Sequence, residues 1–337
     1  MIIEEMSEKF AGMLRDESRM AGHAEAVARP RDADQLAQAV KYAAQNGMRI
    51  TVQGAATGVE GGGVPQGGLL ISTRGMNRVL GLREDGGSFF LQAQAGVTLE
   101  QVEEHLRKPL GGRAYFFPPN PTEKTATLGG AFASDAIGTN GRVRGHVRRV
   151  SRVEGVIAEL ELALRPVPKF NWGVLLFFMS PGGANQWYES QGKPWTRAAP
   201  RSGVSDLARN KFARATASVG FAGHAYFDTA ALTLLRGHHN GCKPPGDVCE
   251  AIYLELWDED EAALEEELAA ILELFLEAGG REEYAWAAEG LAEMEKFRAM
   301  CHAVPELINS EMDKTGAVAP GLCKAALDRL YVSLDRI

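Results

Sequence analysis

The stretch Thr51–Ser72, TVQGAATGVEGGGVPQGGLLIS, constrains the fold more than any other part of this chain. Seven glycines fall in the fifteen residues from Gly54 to Gly68, between two short segments that read as strands, Arg49–Gln53 and Leu69–Ser72. Without Cβ atoms, successive backbone N–H groups can converge into a nest of the kind that holds a pyrophosphate. A nest needs no basic side chains, so the formal net charge of −8 is no objection. A flexible surface loop is the plain alternative. The spacing excludes two familiar phosphate loops, since no G-x-G-x-x-G opens a helix here and no Gly-Lys-Ser/Thr follows.

Helical and strand periods alternate around this loop up to about Arg165. Asp32 with Gln35 caps a helix striped by Leu36, Val40 and Ala43, which Asn46-Gly47 ends. Phe89–Ala95 reads as another strand, and Thr98 with Gln101 forms a capping box for a helix running to about Arg107. Val156–Leu164 alternates apolar and acidic residues as a strand does, and Pro166-Val167-Pro168 closes it at a domain boundary. Beyond the boundary, Trp172–Met179 and Ala251–Trp257 read as strands. Asp258–Ala278 reads as an acidic amphipathic helix.

A second glycine site makes the first more informative. Phe117–Gly138 reads FPPNPTEKTATLGGAFASDAIG, in which prolines stiffen an approach and Leu128-Gly129-Gly130 leads into Ala131, Ala133 and Ser134. Side chains this small allow close approach of a bulky planar group.

Together the two loops resemble the FAD-binding domain of the vanillyl-alcohol oxidase superfamily, also named after p-cresol methylhydroxylase. The resemblance rests on the "G-x-x-T-G…G-G-x-x-P-x-G-G" loop and the "A-T-L-G-G-x-x-A-(S/T)…A-x-G" pattern, covers Val27–Gly145 and resumes at Glu154–Pro168. It is nearest the D-lactate dehydrogenase and glycolate oxidase flavoprotein group. The resemblance implies non-covalent FAD, with Gly54, Ala55, Ala56, Thr57 and Gly58 holding the pyrophosphate through backbone amides. It sets Pro119, Thr127, Gly129, Gly130, Ser134 and Gly138 along the flavin and ribityl chain, and the backbone of Ile157 at the adenine half. Asp135 stands where relatives more often carry Asn.

The implied fold is α+β, with a two-lobed FAD-binding domain over residues 1–166. An antiparallel-sheet α+β cap, helices on one face, follows over residues 167–337. The implied activity is oxidation of a small 2-hydroxy acid of the D-lactate or glycolate kind, with hydride passing to the flavin and onward to an unidentified electron acceptor. Relatives carry several dozen more residues where RVRGHVRRVSRVEGVIAEL runs straight through, and continue past Ile337 with histidine-bearing strands that furnish the substrate and metal site. A segment is therefore expected to be missing near 150–154, the cap is expected to be incomplete, and no catalytic residue or metal ligand is assigned. Three alternatives stay open: a flavin-binding subunit or non-catalytic scaffold, an alcohol or sugar oxidase on the same FAD domain, and a plain α/β binding protein without FAD.

The remaining features narrow the partners. An acidic chain has no broad electrostatic grip on nucleic acid or anionic membrane. No apolar run reaches the ~18–20 residues of a membrane helix, and MIIEEMSEKF lacks the zones of a signal peptide. A cytoplasmic protein, with a homodimer as a candidate assembly, is the expectation. Cys242, Cys249, Cys301 and Cys323 are too few for a disulfide scaffold. His238, His239, Cys242 and Cys249 fit zinc spacing poorly. Arg142, Arg144, His146, Arg148, Arg149 and Arg152 form a basic cluster read as a solvated face, with an anion contact as the alternative. The surroundings of His146 do not match families that attach flavin covalently.

Overall fold

The computed structural model describes residues 3–119, 121, 123–138, 140–184, 187, 223–237 and 243–315. They divide into two compact units, one up to Val167 and the other from Pro168.

The first unit opens with β1 (Ile3–Glu5), β2 (Ala26–Ala28), β3 (Ile50–Gln53) and β4 (Leu69–Ser72), in the sheet order β1-β2-β4-β3. β2 and β3 run parallel to β4, while β1 pairs antiparallel to β2. Parallel neighbours need a crossover, and helix α1 (Ala33–Gln45) supplies it between β2 and β3. Asp32 Oδ1 accepts the Gln35 N–H at 2.8 Å, and Gln35 Oε1 accepts the Arg31 N–H at 3.0 Å. Gly47 ends the helix with φ +61°, which an L side chain rarely adopts. Leu36, Ala39, Val40 and Ala43 are buried against Ile3, Ala28, Leu69 and Ile71. Burying each such large apolar side chain stabilises the fold by about 1.5–3 kcal/mol. On the other face, Phe10 of the 3-10 turn Glu8–Leu14 covers Val27 and Leu70.

A second sheet is built from β5 (Val79–Asp85) and β6 (Ser88–Gln94), which precede helix α2 (Leu99–Leu106), short strand β7 (Tyr115–Phe116) and helix α3 (Leu128–Ala133). The chain continues through β8 (Ile137–Gly138), β9 (Gly141–Arg142), β10 (Val147–Val153), β11 (Val156–Ala163) and β12 (Arg165–Pro166). The order β10-β11-β6-β5 is antiparallel throughout. Leu91, Ala93, Leu160 and Leu162 bury their face against Val102 and Leu106 of α2 and Leu128 and Ala131 of α3. On the opposite face Phe90 lies under both Arg83 and Arg148, 4.9 and 4.5 Å from its ring centre. The expected interruption at 150–154 falls in the β10–β11 hairpin. There Ser151 faces Glu159, Val153 faces Val156, and Glu154 and Gly155 turn the chain at φ +48° and +88°.

The second unit holds β13 (Phe170–Phe178), β14 (Gly223–Phe227), helix α4 (Thr229–Gly237), β15 (Glu250–Asp258), helix α5 (Glu261–Glu277), β16 (Ala285–Glu289) and helix α6 (Gly290–Thr315). Its sheet is antiparallel in the order β14-β15-β13-β16. α5 lays Leu264, Ile271 and Phe275 on Val174, Leu176, Ile252 and Leu254. α6 covers the other face, where Phe297 meets Tyr253 edge-on at 6.0 Å. Helices thus cover both faces, not one as the sequence led us to expect. The physical reason lies in β15, whose residues Glu250–Trp257 are all buried, so neither face can be left to solvent.

Candidate functional site

Strand β3 ends at Gln53, whose buried carboxamide shapes the glycine loop beyond it. Its Nε2 donates to the carbonyls of Met13 and Gly63, each at 2.9 Å, tying the start of the glycine loop to its middle and to the turn beside it. Between those ties Ala56 takes φ +63°, and its carbonyl accepts the Glu17 N–H at 3.2 Å. Among the described residues, the amides of Ala55, Ala56, Thr57 and Gly58 donate to no backbone carbonyl. Four consecutive amides without a backbone acceptor, on a loop kinked at Ala56, are the kind of donor a nest requires.

The second loop meets the first directly. A Cβ on Gly54 would stand 2.1 Å from Thr127 Oγ1, so the loops pack at this distance only because residue 54 is glycine. Thr127 is buried and caps α3, its Oγ1 accepting the Gly130 N–H at 3.4 Å. The Leu128 and Gly129 amides donate to the carbonyls of Val97 and Ala95, both at 2.8 Å. The first-turn donors of α3 are therefore engaged inside the protein. Gly129 lets the start of α3 pack on Ala95, whose Cβ would lie 2.8 Å from a Cβ at residue 129.

The other sequence-predicted residues sit in the second loop, the β8–β9 ribbon and β11. Ser134 closes α3 and donates its hydroxyl to the Gly130 carbonyl at 3.0 Å. Pro119 is buried in the turn that follows Phe117, and Gly138 pairs with Gly141 in the β8–β9 ribbon. Ile157 stands on β11 next to Ala158, whose carbonyl accepts the Ala95 N–H at 2.8 Å. The connection Ala95-Gly96-Val97 is thus the hub on which α3 and β11 both close. Its only local sequence signal was a glycine lying between a strand and a capping box.

Asp135 is in the left-handed region at φ +50°, which Asn and Asp tolerate better than most residues. Its Oδ1 accepts the Arg144 N–H at 3.2 Å. Arg144 in turn donates to the carbonyls of Phe132 and Ala133, at 3.0 and 2.6 Å, and so caps the C-terminus of α3. Arg148 pairs with Asp85 at 3.0 Å. These members of the basic cluster serve neighbouring acceptors rather than a purely solvated face. Burial and the nearby Arg165 hold the His146 imidazole below its usual pKa.

Where the parallel strands β2, β3 and β4 end, a cleft of about 860 Å³ opens, lined by Arg29, Arg31, Gln53, Ala56, Ser72 and Arg74. Such a position, outside the carboxyl ends of parallel strands, is where open sheets with helical crossovers bind ligands. The arginines of this cleft carried no local signal that set them apart from other surface cations.

In the second unit the polar residues form a structural pair. Glu255 is fully buried and holds Arg298 through two oxygens at 2.7 and 2.9 Å, while Tyr253 donates to the same carboxylate at 2.9 Å. Burial pushes the Cys301 thiol well above its ordinary range. His238, His239, Cys242 and Cys323 lie outside the described residues, as does most of Ser180–Ser218. Among the described residues no three His, Cys, Asp or Glu side chains converge as a metal site requires, and no helix is long and apolar enough to cross a membrane.

Comparison with known proteins agrees with this geometry. Residues 24–158 match the FAD binding domain family. The chain is 33% identical to a D-lactate dehydrogenase of Anaerostipes hadrus over 157 residues, 44% of this chain and 31% of that protein. It is 30% identical to a D-lactate dehydrogenase of Archaeoglobus fulgidus over 40% of this chain and 29% of that one. A D-2-hydroxyglutarate dehydrogenase of Escherichia coli is 34% identical over 36% of this chain and 12% of its own length. The chain thus matches less than a third of each of these relatives. Two crystal forms of alkyldihydroxyacetonephosphate synthase share the fold at 12–13% identity, with TM-scores of 0.63 and 0.56, covering 91% and 80% of this chain and 62% and 53% of theirs. The stretch that matches the FAD binding domain family, residues 24–158, holds both loops and the free amides of Ala55–Gly58, and the match indicates FAD as the cofactor.

Proposed function

We propose that this protein is an FAD-dependent oxidoreductase that oxidises a small 2-hydroxy acid, in the manner the names of its D-lactate and D-2-hydroxyglutarate dehydrogenase relatives describe. The observation that carries the proposal is the junction of the two loops, where Ala55–Gly58 keep free amides and Gly54 lets Thr127 of the second loop pack against the first. In this reading residues 1–166 form the two-lobed FAD domain of the p-cresol methylhydroxylase type, and residues 167–337 contribute to a cap. Ala55, Ala56, Thr57 and Gly58 donate backbone N–H groups to the pyrophosphate. Pro119, Thr127, Gly129, Gly130, Ser134 and Gly138 lie along the flavin and ribityl chain, and Ile157 lies beside the adenine half. FAD is held without a covalent bond and supplies hydride acceptance, while the protein orients the substrate and excludes water.

The test is the visible absorption spectrum of the purified protein before and after FAD is added. Flavin bands that survive desalting, and that D-lactate, glycolate or D-2-hydroxyglutarate bleaches under anaerobic conditions, are the expected result. Retained flavin that no hydroxy acid bleaches would turn the reading toward a scaffold or an alcohol or sugar oxidase. A protein that retains no flavin would remove the oxidoreductase reading.

A further inference from the structure

The cleft at the ends of β2, β3 and β4 carries more cationic charge than a backbone nest requires. Three arginines line it, and they differ in how they are engaged. Arg29 is neutralised by Glu4 at 2.7 Å. Arg31 is held by its backbone alone, its N–H donating to Gln35 at 3.0 Å and its carbonyl accepting from Gln94 at 3.2 Å. Among the described residues neither the Arg31 nor the Arg74 guanidinium forms an ion pair.

The fold brings these two cations to one rim. Arg74 sits in the turn Thr73–Gly75, which Thr73 anchors by donating its hydroxyl to the Gln53 carbonyl at 3.3 Å. Gly75 lets that turn press on the preceding loop, because a Cβ there would stand 2.8 Å from the Pro30 carbonyl and 3.5 Å from Arg31 Cγ. Ala56, in the middle of the unspent amides, lines the same cleft.

We infer that Arg31 and Arg74 are the counter-charges of the dinucleotide's diphosphate, acting across the cleft together with the amides of Ala55–Gly58. The inference rests on the FAD-binding reading above and adds a side-chain contribution to it. Exposed charges act weakly in water, so each arginine contributes about fivefold to affinity, and the contribution is screened by salt.

The experiment is a fluorescence titration of the flavin-depleted protein with FAD at low and high salt, for the wild type, Arg31→Gln, Arg74→Gln, the double variant and a control, Arg281→Gln, at an exposed arginine of the second unit. Riboflavin and inorganic pyrophosphate are titrated alongside. FAD binding should be about fivefold weaker in each of the two single variants and more than tenfold weaker in the double variant, with a flatter salt dependence. Riboflavin binding and the control should not change. Wild-type FAD binding that all variants share would overturn the inference and leave the flavin reading standing. Loss of pyrophosphate binding in the variants with FAD binding intact would assign the cleft to a free anion and also overturn it. A wild type that binds no FAD would remove the flavin reading itself, and this inference with it.

Discussion

Thr127 Oγ1 stands where a Cβ of Gly54 would have to be, 2.1 Å from that ideal position. The same oxygen caps α3 by accepting the Gly130 N–H. One hydroxyl therefore fixes the start of α3 within the second loop and sets how closely the first loop can approach it. Neither loop can be moved without disturbing the other.

Gly54→Ala should thus act on both loops at once. Overpacking of this kind costs about 1–3 kcal/mol, and the loop shift should weaken FAD binding more than tenfold. Thr127→Ala removes the cap, at about 1 kcal/mol, but also removes the obstructing oxygen. In a double-mutant cycle followed by thermal unfolding and flavin titration, Gly54→Ala should cost clearly less in the Thr127→Ala background than in the wild type. Additive effects would show that the two residues do not press on each other.

Arg144 holds the other end of α3, with two bonds to the carbonyls of Phe132 and Ala133. A helix of six residues cannot sustain itself without its caps. Arg144→Ala should lower stability by about 1 kcal/mol and loosen flavin binding. Arg144→Lys should restore little, because a single ammonium cannot reach both carbonyls with the geometry of a planar fork. Equilibrium denaturation with flavin fluorescence as a second probe checks both points.

The parts of this architecture that were legible in sequence are those whose cause is local. Asp32 and Gln35 flank α1 as their spacing predicts, and Thr98 and Gln101 form the reciprocal cap of α2, with bonds of 3.2 and 3.0 Å. The glycine loop could be located because glycines leave a mark at each position, and the strands around it because alternation does. The acidic helix of the second unit starts at Glu261 rather than Asp258, since Asp260 is the residue whose side chain caps it. What could not be read is what joins distant segments. Glu255 and Arg298 are 43 residues apart, and Arg31 and Arg74 line one cleft only because Gly75 can approach Pro30. Helix α6 and strands β5 and β16 went unread as well, because their apolar positions follow packing partners more than a regular period.

In the second unit Glu255 and Arg298 should behave as one coupled pair. The carboxylate is fully buried and the guanidinium nearly so. Removing one member leaves the other charged and unpaired in a low-dielectric setting. Arg298→Met should therefore destabilise the protein by about 3–5 kcal/mol, whereas Glu255→Met with Arg298→Met should recover most of the loss. Chemical denaturation of the four proteins of this cycle measures it, and equal losses in the single and double variants would argue against a coupled pair.

Glu267 should make stability depend on pH. It is 4% exposed on the inner side of α5, and its Oε1 has no hydrogen-bond partner among the described residues. Burial, with a smaller contribution from the charge on Asp258, pushes its carboxyl up to about 7 from an ordinary value of 4.5. In the window between these two values the folded protein holds a proton that the unfolded chain has released. Stability must then fall as pH rises from about 4.5 towards 7, and the full penalty is present above that range. Glu267→Gln keeps the shape and removes the charge, so it should leave stability near pH 4.5 almost unchanged and raise it by about 1–3 kcal/mol at pH 8. Urea denaturation of wild type and variant across this range decides the matter. Two parallel stability curves would mean that Glu267 is not the group that titrates.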